Sequence, residues 1–133
     1  MSEAFYGCTN LKLNATDSPD LSQVSTLYRM FRDAANLEDL KDQIGKWNVS
    51  HVTNMARMFR NATLFNEDIS GWDVSSVTRM DYMFSAVRRF NQDISDWDVT
   101  NVTNMNGMIV GCDKLYLDIS KFDIDDKIDI KLI

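Results

Sequence analysis

Acidic residues in two repeating registers are the feature of this sequence whose type and spacing could do chemistry. Asp20, Asn48, Asp73, Asp98 and Asp123 fall in one register, and Asp68, Asp93 and Asp118 fall in another. If successive copies of the motif lie side by side, carboxylates stand ~5 Å apart and repel unless something compensates. Calcium held between copies would do so, as in other repeat proteins. A protein partner seated on the row would also do so. The third answer is local, because Asp and Asn stabilise tight corners by bonding their own backbone. The glycine-rich nonapeptide of calcium-binding repeats is absent, so we read the rows first as corners. Asn48, Asp73 and Asp98, lying between apolar neighbours, are the candidate binding residues.

Other reactive types lead less far. Every methionine except Met1 falls in the same part of the repeat, and soft Met and Cys ligands would suit copper. Filling an irregular core gap is the plainer use of methionine. Trp47, Trp72 and Trp97 could form a stacking platform for sugars or bases, but each has a Val two residues on, which favours a core ladder continued by Phe122. Ser25, Thr53, Thr78 and Thr103 form a hydroxyl row that suggests ice binding or, more simply, helix caps. His51 is the single histidine, so no Cys-His, Ser-His or multi-His group supports catalysis or zinc, and no phosphate-binding or dinucleotide motif is present. We expect no enzyme and no cofactor.

These residues are positioned by a repeat. Trp47, Trp72 and Trp97 are 25 residues apart, and Phe122 falls on the next beat. A period of this length means stacked units that bury their apolar faces only against one another. We divide the chain into a degraded N-terminal half-repeat at 1–18 and a lengthened first repeat at 19–46. Regular repeats follow at 47–71, 72–96 and 97–121, with a C-terminal edge strand at 122–133. Within each regular repeat, Thr53, Thr78 or Thr103 precedes an apolar i, i+3, i+4 set such as Met55, Met58 and Phe59, which predicts roughly ten residues of capped helix. Trp-x-Val predicts a short strand. The expectation is an α/β solenoid of strand–helix units, right-handed and leucine-rich-repeat-like, with a short parallel sheet on one side. The three surplus residues of the first repeat fall between Ala34 and Leu40, where they predict an extra helical turn. Cys8 and Cys112 occupy one slot four units apart, roughly 19 Å, far beyond the ~7 Å reach of a disulfide. Both are expected to be small buried thiols.

The run W-D-V-S-x-V-T-x-M-x-x-M-F followed by F-N-Q-D-I-S closely resembles the repeat of the BspA-like leucine-rich-repeat surface proteins. The same unit of about 25 residues occurs in lipoproteins of cell-wall-less bacteria. The resemblance runs from about Pro19 to Asp123, with departures at Pro19, at the three-residue insertion, and at Ile109 and Tyr116-Leu117. It implies a leucine-rich-repeat fold and a use in surface display, adhesion and protein binding, and it supplies no catalytic residues.

Charge narrows the partners. A net charge of −6 argues against nucleic acid and anionic membranes, since no basic stripe is visible in the sequence. No span of about 20 apolar residues occurs, and the start lacks the order of a signal peptide, so the chain as written reads as cytoplasmic although the family it resembles is mostly at the cell surface. The expected function is a non-enzymatic protein-interaction or adhesion module. Its partner would be another protein or cell-surface component, and a homodimer through an open end is an option. The alternative is a calcium-stabilised structural or carbohydrate-binding repeat protein.

Overall fold

A computed structural model of the chain describes residues 1–11, 15, 17–38, 40, 43–115 and 119–122. Among them the expected strand–helix architecture does not form. The helices are two 3-10 turns, Ile44–Lys46 and Ile119–Lys121. Parallel pairing is confined to isolated bridges joining Thr26 to Asn54, Asn54 to Arg79 and Arg79 to Asn104, one residue per repeat, so there is no sheet. The α/β, leucine-rich-repeat-like reading is therefore corrected. The expected edge strand lies outside the described residues beyond 122.

The apolar set after each threonine folds as consecutive tight turns. Met58 N–H donates to Met55 O, Arg60 to Arg57 and Ala62 to Phe59, all three residues back where a helix would reach four. The intervening N–H groups point out of the unit. Met55, Arg57, Phe59 and Asn61 donate to Arg79, Asp81, Met83 and Ser85 of the next repeat, at 2.9 to 3.0 Å. The same pattern carries the third repeat's Met80, Tyr82, Phe84 and Ala86 onto Asn104, Asn106, Met108 and Val110. Each repeat is thus a coil whose backbone is satisfied half within itself and half by its neighbour, as buried peptide groups require.

What stops a helix is a left-handed residue at every fourth position. Positive φ occurs at Arg29 and Asp33, at Arg57 and Asn61, at Tyr82 and Ala86, and at Gly107 and Gly111. Each such residue at the third place of a turn closes it in the manner of a type II turn. The spacing of three and four that predicts a helix also points Met55, Met58 and Phe59 inward from this run of turns, so burial alone does not separate the two.

The threonine row is likewise not a set of caps. Thr53 Oγ1 donates to Ser25 O at 3.2 Å, Thr78 Oγ1 to Thr53 O at 3.1 Å, and Thr103 Oγ1 to Thr78 O at 3.2 Å. The hydroxyls clip each coil to the one before. Asp81, three residues after Thr78, receives the fork of Arg79, Nε to Oδ1 at 3.0 Å and Nη2 to Oδ2 at 3.1 Å.

Stacked rings form the core. Phe5, Phe31, Phe59 and Phe84 make a column with centroids 5.5, 5.6 and 5.8 Å apart, nearly parallel. Phe65 and Phe90 stack beside it at 5.9 Å, and Trp72 lies 6.5 Å from Trp97. The tryptophans are buried, and their indole N–H groups are satisfied by the preceding coil: Trp72 Nε1 donates to Ile44 O and Trp97 Nε1 to Ile69 O. The insertion in the first repeat folds inward without a helical turn among the described residues. Leu37 and Leu40 are both buried, and Glu67 Oε1 takes the Leu40 N–H at 2.8 Å. Of the two thiols, Cys8 is exposed, contrary to expectation, because it lies on the first coil with no described coil outside it. Cys112 is half-buried with Sγ 2.9 Å from Phe84 O, and burial pushes its pKa up to about 12.

Candidate functional site

The acidic registers sit at corners and satisfy themselves. Asp73 Oδ1 accepts the Ser75 N–H at 3.1 Å and its hydroxyl at 2.6 Å, and Asp98 Oδ1 does the same with Thr100 at 3.1 and 2.7 Å. Asn48 with Ser50, Asp68 with Ser70 and Asp93 with Ser95 repeat the geometry. The spacing Asp/Asn-x-Ser/Thr is the local reason, since an Asx side chain mimics a backbone turn two residues on. The hydroxyl of the partner serine or threonine holds the carboxyls of Asp68, Asp73, Asp93 and Asp98 below the usual carboxylate range, with the backbone N–H adding to it. Asp20 is lowered chiefly by the Ser22 N–H. Asp98 also feels Asp73 on the preceding coil, which opposes the lowering. Asn48, Asp73 and Asp98 are therefore brought into one exposed row with their orientation fixed. Asp118 and Asp123 lie outside the described residues.

No group of three or more His, Cys, Asp or Glu residues that could hold a metal ion forms among the described residues. His51 is exposed. No described helix is long and apolar enough to cross a membrane.

A second surface escaped the sequence reading. Arg29-Met30-Phe31-Arg32 and Arg57-Met58-Phe59-Arg60 are the same four residues in successive coils. Phe31 and Phe59 point into the core, which leaves the arginines paired on the outside. Stacking aligns them into two columns. One runs Glu3, Arg29, Arg57, Tyr82 and Gly107; the other runs Tyr6, Arg32, Arg60, Ser85 and Val110. The guanidinium carbons lie over tyrosine rings: Arg29 over Tyr28 at 4.8 Å, Arg32 over Tyr6 at 5.5 Å, and Arg57 and Arg60 over Tyr82 at 5.5 and 5.4 Å. These distances are within cation–π range. A basic strip thus exists on a chain of net charge −6, hidden in the sequence because its arginines are spread over two repeats.

The backbone beneath this strip is costly. Its first column occupies a left-handed slot, with φ of 55° at Arg29, 58° at Arg57 and 56° at Tyr82. A residue with a Cβ costs about 1–2 kcal/mol there. The neighbouring left-handed slot is filled mostly by residues that tolerate it, Gly7, Asp33, Asn61 and Gly111, with Ala86 the exception. Gly107 closes the first column for a spatial reason too, since a Cβ on it would stand 2.5 Å from Tyr82 Cε1. The glycine is what lets the tyrosine ring lie across the next coil.

Comparison with curated proteins and with solved structures gave no match for this chain. A protein-family comparison matches residues 1–122 to a family described as Mycoplasma protein of unknown function, DUF285. Since that match takes in nearly all of the coil-forming sequence, the chain belongs to the DUF285 family of Mycoplasma proteins.

Proposed function

We propose that the protein is a non-enzymatic interaction module that binds another protein. The observation that supports this is the exposed row of Asn48, Asp73 and Asp98, displayed on three successive coils with each Oδ1 anchored by its own corner. Anchored side chains lose little freedom on binding, so more of the contact energy is retained. The stacked aromatic core beneath them holds the row rigidly enough to present one charge pattern to a partner.

The double substitution Asp73→Asn with Asp98→Asn tests the reading. It removes two charges and keeps the corner acceptor, as Asn48 shows the fold permits. Immobilised protein is expected to retain a surface protein of the source cells, and the double variant to lose it at an unchanged melting temperature. Equal retention by both proteins, or none by either, would overturn the proposal.

A further inference from the structure

We infer that the strip formed by Arg29, Arg32, Arg57 and Arg60 over Tyr28, Tyr6 and Tyr82 is a binding site for an acidic peptide segment. This goes beyond the corner-row reading and stands independently of it. Three observations carry it.

The donors are built and incompletely used. The Nε atoms of all four arginines are buried and lack a hydrogen-bond acceptor. Arg32 Nε lies 3.4 Å from Asp33 Oδ2, a charge contact without hydrogen-bond alignment. Buried polar groups in folded proteins are nearly always paired, so four sealed and unpaired Nε groups leave each guanidinium under-satisfied, and an acid from outside would meet it through its Nη groups. The tyrosine rings hold each guanidinium within cation–π range, and two Nη groups of one guanidinium can meet a planar acid in parallel bonds.

The molecule shows which acid fits. On the first coils the strip is already met by carboxylates of the chain itself: Glu3 Oε1 takes a hydrogen bond from Arg29 Nη1 at 3.0 Å, and Asp33 approaches Arg32. Glu3 belongs to the coil before Arg29 and stands in the same column. Arg57 and Arg60, one coil further on, have no carboxylate partner among the described residues. A glutamate or aspartate of a second chain would continue there what Glu3 begins.

Finally, arginine and tyrosine are kept where the backbone favours glycine. The same slot accepts glycine at Gly107, so Arg29, Arg57 and Tyr82 are not required by the coil. Strain held at a surface cluster points to use of the side chains. The strip is short and the chain net negative, which favours a peptide of a few acids over a long polyanion such as nucleic acid.

The test is fluorescence anisotropy with a labelled hexaglutamate peptide against the full chain. A protein of net charge −6 has no general attraction for this probe, so saturable binding that weakens with salt is expected only through the strip. Arg60→Gln and Arg57→Gly are each expected to weaken binding about tenfold, as the loss of a charge-assisted pair does. The glycine variant keeps a slot residue that the fold already uses at Gly107, so its folding is secure. Arg60→Lys keeps the charge and loses the fork, and it too should weaken binding severalfold. The proposal is overturned by absence of saturable binding, by equal binding of the variants, or by tighter binding of a single-stranded oligonucleotide or a sulfated oligosaccharide than of the peptide.

Discussion

The acidic corners and the arginine strip are both polar ladders on the same stack, yet they treat their hydrogen bonds in opposite ways. At the corners each carboxylate bonds residues of its own coil, so a coil brings its compensation with it. Along the strip each arginine leans on a tyrosine beside it in sequence or on a neighbouring coil, and the arginine Nε groups remain without acceptors. The contrast is also one of backbone: serine and threonine corners are cheap, whereas the strip places Arg29, Arg57 and Tyr82 at positive φ. The corners present charges whose orientation is already fixed, whereas the strip holds strained side chains with donors left open.

Both ladders rest on one core, and breaking the core should abolish the difference. Trp72 is buried, and Trp72→Ala is expected to cost about 3–5 kcal/mol in urea unfolding, as large core truncations do. A loss under about 1 kcal/mol would contradict a stacked aromatic core. Gly107→Ala acts on the strip alone. It should destabilise by about 1–3 kcal/mol, because the new Cβ meets both a left-handed backbone and the Tyr82 ring. Adding Tyr82→Gly should recover part of that loss; no recovery would disconnect the two residues.

A smaller change of opposite sign separates the strip from its structural neighbour. Ala86→Gly, in the second left-handed slot, should stabilise by about 0.5–1 kcal/mol by relieving a Cβ at φ 60°. It should leave hexaglutamate binding unaltered. The weakest effects belong to the corners. Their carboxyl pKa values are depressed from 3.8, so their contribution is full above that pH and is lost as pH falls through the depressed values. Melting should therefore be level down to about pH 4 and fall below it. The Asp73→Asn and Asp98→Asn variant should show a shallower fall.

The burial pattern was legible in the sequence, and the local conformation was not. Spacing of the Trp, Val, Met and Phe positions marked residues that the structure buries, including Trp72, Val74, Val77, Met80, Met83 and Phe84. It could not say how the chain runs between them, because a helix and a run of tight turns share the spacing of three and four. The signal that separates them was present but faint. Gly107 and Gly111 stand four apart, and Asn61 and Asp33 fill the second slot with residues that tolerate positive φ. Arg57, Tyr82 and Ala86 in those slots obscured it. The repeating Asp and Asn registers made the corners visible. The repeated Arg-Met-Phe-Arg was passed over because net charge averages away a cluster that exists only once two coils are stacked.

The outward N–H groups of each turn run have one further consequence. They all reach toward the following coil, while the threonine N–H and hydroxyl groups all reach back to the preceding one. Every coil is thus a donor on one stripe and an acceptor on another toward the same neighbour, with the roles exchanged on its far side. Such a stack can be edited only in whole coils. Removing residues 72–96 would bring Met55 and Thr53 against Asn104 and Thr103, which already serve the same donors and acceptors for Met80 and Thr78. Removing five residues would leave two stripes of peptide groups facing the wrong partners. The unit of length change in this molecule is the coil, and whole coils can be added or removed without redesigning a single contact between neighbours.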